Sequence, residues 1–483
     1  MVLFDGEDSW ETVLRLACTH LDAGGLERLK SVLDPKCRCV VIERHYLDKD
    51  YRDTFSHFHS KRFGTPDSRC VRLHFFSNPI TEEALISGDQ HVKEAYQGYS
   101  VIRPTKPHCI GRTLLSHRLR LESRAHLSIC REWVHIMGTQ FAVEGFPFIS
   151  QDVDATVCAQ SALWMLLRYY SNKYPIYSEI LPFQITNLAN SHAAGNRVYP
   201  SAGLYSWQLA EALRLQKFAP VVYGKKRYNE ETFYHLLYTY LESGLPMLIT
   251  VPEHVLVGFG HISNYLTPYP QSPPKFLYSS HFNRALVIND DGRFPYQTLA
   301  KTIHSGTGPV SRHDWDAIEE FIVPLPEKVF LTAEQAQTVI QDFLQQEPFA
   351  LSSSERLSKG GLVMRLYLTS ARAFKRTLHQ RKMGHEIVES IYRILPMPHF
   401  IWICEIADYD EYASERKILG EVIWDATCNA LEPDGWITCH FPETLRVNIG
   451  SALNEAPRRE MYSLDASDSY LLFDSNLHSL SHG

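Results

Sequence analysis

The sequence predicts an α+β protein in three parts, and three observations carry that reading. Residues 1–147 alternate short strand-like runs with one or two helical patterns, with no regular strand–helix repeat. From Pro147 the pattern changes to long apolar helices followed by strands. Near Pro324-Leu325-Pro326 it changes again to a second mixture of helices and buried strands. The expected domains are therefore 1–147, 148–324 and 325–483. A chain of 483 residues has apolar content enough for several cores.

In the first part, residues 10–33 read as helical, with Val13, Leu14, Leu16 and Ala17 at helix-like spacing. Strands are expected at 39–43, 71–76, 99–103 and 109–115, and residues 126–137 and 139–143 are mostly extended. Residues 44–62 read as a polar, aromatic segment. In the second part, helices are expected at 158–172, 203–216 and 229–242, the last closed by Ser243-Gly244. An Asn-rich loop, 187–196, separates the first two. Strands are expected at 221–222, 247–251, 254–261 and 285–290. In the third part, 332–346 is a helix, 353–361 a polar linker, 362–368 a strand, 370–385 a basic helix and 386–395 a further helix. Buried strands follow at 400–406, 419–426 and 436–441, and the tail after Pro457 is either docked or poorly ordered.

Composition narrows the function. A net charge of -7 argues against broad nucleic-acid binding. No run of 18 apolar residues exists, so no transmembrane helix and no membrane role are expected. The acidic start, MVLFDGEDSWETV, lacks a signal-peptide pattern. Ten cysteines show no paired CxxC array, which argues against a zinc ribbon and for a reduced, cytoplasmic protein. Cys37-Arg-Cys39 reads as a strand entry. His45, His57, His59 and His74 are weighed as metal ligands and set aside, because His57 and His59 in a strand would face opposite ways. No metal or cofactor is expected.

The chemistry centres on 151–170, QDVDATVCAQSALWMLLRYY. Cys158 opens an apolar helical run whose positive N-terminal end favours a thiolate. Asp154 and Thr156 are cap-type residues before it. Gln151 lies seven residues upstream, where its amide can donate to an oxyanion beside the sulfur. A thiol nucleophile needs a base and a group to orient that base. His254 heads an alternating strand, and Asp290 ends a later one with Leu286 and Ile288 on the same face. His261 competes with His254 for the base, although strand alternation puts it on the opposite face. Asn289 competes with Asp290 as the orienting group. Asp152, Asp154 and Asp291 read as cap and turn residues. Trp164, Tyr169 and Tyr170 read as packing. Cys428 and His440, as a second thiol pair, lack an oxyanion donor and a helix entry.

This order resembles the papain-like cysteine peptidases, and within them the bacteriocin-processing (double-glycine leader) peptidases and their looser relatives. The matching pieces are Gln151…Cys158 with its apolar helix, the helix–Gly–Leu–Pro–strand of 242–251, His254-x-x-x-Gly258-Phe259, and the strand ending at Asp290. They cover about 148–299. The resemblance implies a papain-like fold, with the nucleophile helix packed on an antiparallel sheet that carries the base. It also implies cleavage of a peptide or protein substrate without a cofactor. The chain departs from the family in having Ala159 where glycine usually follows the cysteine, and in the long insert between His254 and Asp290. Nothing resembles the transporter to which the leader peptidases are fused. Two alternatives stay open: a transamidating acyltransferase on the same fold, and an inactive papain-like scaffold that binds a protein partner.

Overall fold

The structure, a computed structural model, describes residues 1–3, 8–17, 23–33, 36–105, 109–119, 124–152, 157–189, 204–271, 274, 276–301, 310–346, 361–429, 435–449, 458–465 and 469–480. It is mixed α+β, built on three main sheets.

The first sheet is antiparallel, with strands Val2–Leu3, Cys39–Tyr46, Cys70–Phe76, Tyr96–Ile102 and Ile110–Leu115 side by side in chain order. The second runs Gln297–Ala300, Asn283–Asn289, His254–Ser263, Met247–Val251, Glu320–Pro326, Phe218–Gly224, every neighbour antiparallel. Ala125–Leu127 also pairs with His254–Ser263, and His478–Ser479 pairs with Ala125–Leu127. The third sheet runs from Leu362–Ser370 through Phe400–Asp408, Gly420–Asp425, Trp436–Phe441 and Thr444–Asn448 to Arg459–Ser463. Phe276–Tyr278 joins its edge in parallel with Leu362–Ser370. Segments from either end of the chain therefore complete the central sheet, and a central strand borders the last one.

The central sheet is covered on both faces, which is why its strands are near-continuous apolar runs. Val255, Val257 and Phe259 pack into one core with Ala162, Leu163 and Leu166 of the helix Cys158–Lys173. Leu256 faces the other way, into a second core with Leu237 and Leu241 of the helix Glu230–Glu242. Gly260 is required where Ala125–Leu127 crosses: a Cβ there would stand 2.5 Å from the His126 carbonyl oxygen. In the hairpin before His254, Pro252 and Glu253 form the two-residue turn, and Glu253 takes φ 58°. A type II turn requires a left-handed residue at that place.

Several expected elements are changed by burial of charge. The polar segment 44–62 contains the helix Lys49–His57, whose N-cap Asp48 accepts from the Tyr51 N–H at 2.9 Å. Its inward face carries Asp50, which accepts from Trp164 Nε1 (3.0 Å) and Arg168 Nη2 (2.7 Å) on the Cys158 helix. A helix that buries a carboxylate has no apolar stripe to read. His57 therefore ends a helix, stacked on Phe183 at 3.9 Å, rather than lying in a strand. Residues 10–33 hold two helices, Asp8–Ala17 and Ala23–Leu33. The basic helix stops at Thr377 and passes into a 3-10 turn, Leu378–Gln380. Arg381 is not on a solvated face: it is drawn inward to Glu405 (2.9 Å) and Glu421 (2.8 Å). The described parts of the tail are docked, through Arg459–Ser463, Tyr470–Leu471 and His478–Ser479. Most of the expected loop 187–196 and all but the last residue of the linker 353–361 lie outside the described residues, as do Asp154 and Thr156.

Candidate active site

Cys158 is the first residue of the helix Cys158–Lys173, and every residue from Ala159 to Tyr170 behind it is buried. The helix end is thus held rigidly by its own packing, with the half-buried sulfur at its mouth. The other described cysteines are all buried.

His254 opens its strand directly after the Pro252-Glu253 turn, and its side chain is 10% exposed. The Cys158 side chain lies near enough to the ring to help raise its pKa. His254 Nε2 donates to Asp290 Oδ1 at 2.9 Å and lies 3.3 Å from Asp291 Oδ1. Asp290 follows the strand Asn283–Asn289, the neighbour of the His254 strand in the sheet. Its Oδ1 also accepts from the Gly292 N–H at 2.9 Å, while Oδ2 lies 3.2 Å from Arg312 Nε and 3.5 Å from His313 Nε2.

The electrostatics favour a charged ring. Burial alone would lower the His254 pKa, but the bond to Asp290, the nearby Cys158 side chain and the charges of Asp291 and Asp290 raise it to about 10. Burial pulls Asp290 the other way, but the bond to His254, the His254 charge and Arg312 hold its carboxyl below the usual range. Burial pushes Asp291 up to about 6 against the pull of His254, with Asp290 adding to the rise. Burial also lowers His313, Asp290 opposing, while His254 and Arg312 reinforce the fall.

His254 and Asp290 are therefore joined by a hydrogen bond, and Cys158 lies near enough to act on the ring. Gln151 is half-buried, and its carbonyl accepts from buried Arg103 Nη2 at 3.2 Å. The side chains of His261 and Asn289 are engaged elsewhere. His261 Nε2 bonds Glu242 Oε2 at 2.5 Å, and Asn289 Nδ2 donates to the Pro147 carbonyl at 3.1 Å while its Oδ1 accepts from the Tyr296 N–H. Cys428 donates to the Asp425 carbonyl and His440 bonds the Tyr470 hydroxyl, so neither serves the other.

Three residues beside the imidazole were not singled out as functional from sequence. Asp291 is fully buried rather than an open turn residue. Arg312 faces Asp290, and His313 stacks on His254 with 5.3 Å between ring centroids. Asp290-Asp291-Gly292 was the only local signal; a carboxylate pair ending a strand beside a candidate base warranted both acids. His254, Asp290 and His313 also offer ligand atoms within 4.8 Å of one another, a nitrogen and oxygen set that suits a transition ion.

No protein-family model, curated protein or solved structure matches this chain. Among the described residues no helix is long and apolar enough to cross a membrane.

Proposed function

We propose that the central region is a papain-like cysteine peptidase acting on a peptide or protein substrate. The observation that carries this reading is Cys158 at a helix start, near enough to His254 to act on its pKa, with the ring hydrogen-bonded to Asp290. An antiparallel sheet bearing the base and packed on the nucleophile helix supports it further. Free cysteines throughout the described chain accord with a reducing compartment such as the cytoplasm.

In this reading Cys158 Sγ attacks the substrate carbonyl carbon, and the C–S bond forms. Gln151 donates to the oxyanion. The C–N bond then breaks as His254 passes its proton to the departing amine, leaving a thioester. Water attacks the thioester, His254 takes its proton, and the acid leaves as the sulfur is released. Asp290 holds the ring by Nε2, which leaves Nδ1 for the sulfur. The raised pKa suits His254 to the acid step, since the ring holds its proton through neutral pH.

The test is alkylation by an iodoacetamide-type probe at pH 6, followed residue by residue. Cys158 is the half-buried thiol among buried ones, so speed relative to the others is not enough. His254→Gln keeps that exposure and removes the imidazole. We expect Cys158 to react at least about tenfold faster in the native chain than in the variant. Equal rates would leave Cys158 an accessible thiol and end the peptidase reading.

A further inference from the structure

His126 pairs with His261, seven residues along the strand from His254 and so about 23 Å from it. At that far end lies a cavity of about 480 Å3. Its walls come from all three parts of the chain: Arg124 and His126, Tyr265, and the segments around Arg381, Arg416 and 471–480.

The charge there is one-sided. Three arginines line the cavity against one acid, Asp474. Arg381 is matched by Glu405 and Glu421. Arg416 makes no such ion pair among the described residues: its Nη1 is buried without a hydrogen-bond partner, and Glu242 acts on it through charge alone. The guanidinium lies 4.4 Å from the Tyr265 ring centroid and 5.0 Å from that of Tyr412. Aromatic contact of this kind steadies the planar fork without using its hydrogen-bonding capacity.

The backbone adds a second, independent sign. Arg416 caps the helix Tyr409–Glu415 at φ 56°, a place where glycine or asparagine is usual. Arg124 stands at φ 85°. Two arginines on one cavity both occupy left-handed backbone, a strained conformation for such side chains that tends to gather at ligand sites. Among the described residues Arg124 Nη1 makes one long contact, 3.5 Å to Asn264 Oδ1.

We propose that this cavity binds a small phosphomonoester, its phosphate held by Arg416 and Arg124. Two guanidinium forks from different segments suit a tetrahedral dianion with several acceptor oxygens better than a flat carboxylate. The volume exceeds that of a phosphate alone and leaves room for the esterified group. The site stands apart from Cys158, and it does not depend on the peptidase reading.

The experiment is calorimetric titration of the full chain with phenyl phosphate, inorganic phosphate and benzoate at constant ionic strength. We expect phenyl phosphate to bind, benzoate to bind about tenfold more weakly or less, and Arg416→Gln and Arg124→Gln each to weaken phenyl phosphate about tenfold or more. Arg312→Gln, at the other end of the strand, should leave the affinity unchanged. Should Arg416→Gln fail to fold, exposed Arg124→Gln decides alone. Equal affinity in native chain and Arg124→Gln, equal binding of benzoate, or loss of binding in Arg312→Gln would each overturn the proposal.

Discussion

The strand His254–Ser263 carries two histidines in opposite kinds of surroundings. His261 is sealed: it bonds Glu242 and Ser263, and it lies between the rings of His126 and Tyr238. From Glu242 the charges continue through Arg365, Glu405 and Arg381 to Glu421, each acid facing a guanidinium. His254 is held by Asp290 with the Cys158 thiol nearby, and Asp291 beside it has no hydrogen bond to either carboxylate oxygen among the described residues. A buried network whose charges all face partners fixes structure. One that stops near a thiol, with acceptor capacity unused, suits the proton transfer proposed for it.

The widest separation between the two regions should appear in stability. Arg365→Met keeps volume but strands Glu242 and Glu405 without their shared cation. Breaking a buried pair in this way costs about 3–5 kcal/mol. Cys158→Ala removes one half-buried sulfur and should cost less than about 1 kcal/mol. Urea unfolding of both variants measures this. A loss under about 1 kcal/mol for Arg365→Met would mean that the network does not hold the fold together.

The second difference is in protonation. His440, buried beside the Arg381 charge, is pushed down to about 3, whereas His254 is raised from 6.5 to about 10. Nitrogen-resolved NMR at pH 7.5 should find the first ring neutral and the second charged. Linkage gives a companion result. A histidine whose native pKa is raised stabilises the fold fully below about 6.5, and that contribution is lost as pH rises through about 10. The stability gap between native chain and His254→Gln should therefore be widest near pH 6 and narrow above pH 10. A gap independent of pH would show that the ring carries no such charge.

Much of this was legible in residue order, for identifiable reasons. The Cys158 helix, the strand Met247–Val251 and the strand Trp436–Phe441 are apolar runs bounded by turn residues, and such runs report their own burial. His254 and Asp290 were legible because alternation placed each at a strand end. Elements that bury charge were not. The helix Lys49–His57 hides Asp50, and Arg381 turns in from what reads as a basic surface helix. Arg312 and His313 arrive from a separate segment with no pattern of its own, so only tertiary structure joins them to Asp290. Asp291 looked like a turn because its neighbours Asp290 and Gly292 are turn formers.

Asp291 supplies the finest division between the two clusters. Its pKa rises from 3.8 to about 6, so the native state favours the neutral acid. Stability then falls as pH rises through that range, and above it the buried charge costs ~3 kcal/mol, net of the pull of His254. Asp291→Asn removes the charge and keeps the shape. Its amide inherits the same lack of partners, which offsets some of the gain. We expect the variant to be more stable than the native chain by ~1–2 kcal/mol at pH 8, with the gain vanishing below pH 4. Because Asp291 is one of the charges that raise His254, the imidazole should also titrate below about 10 in the variant. A stability gain without that fall would mean that Asp291 is a buried acid the ring does not feel, and would leave Asp290 as the one carboxylate acting on His254.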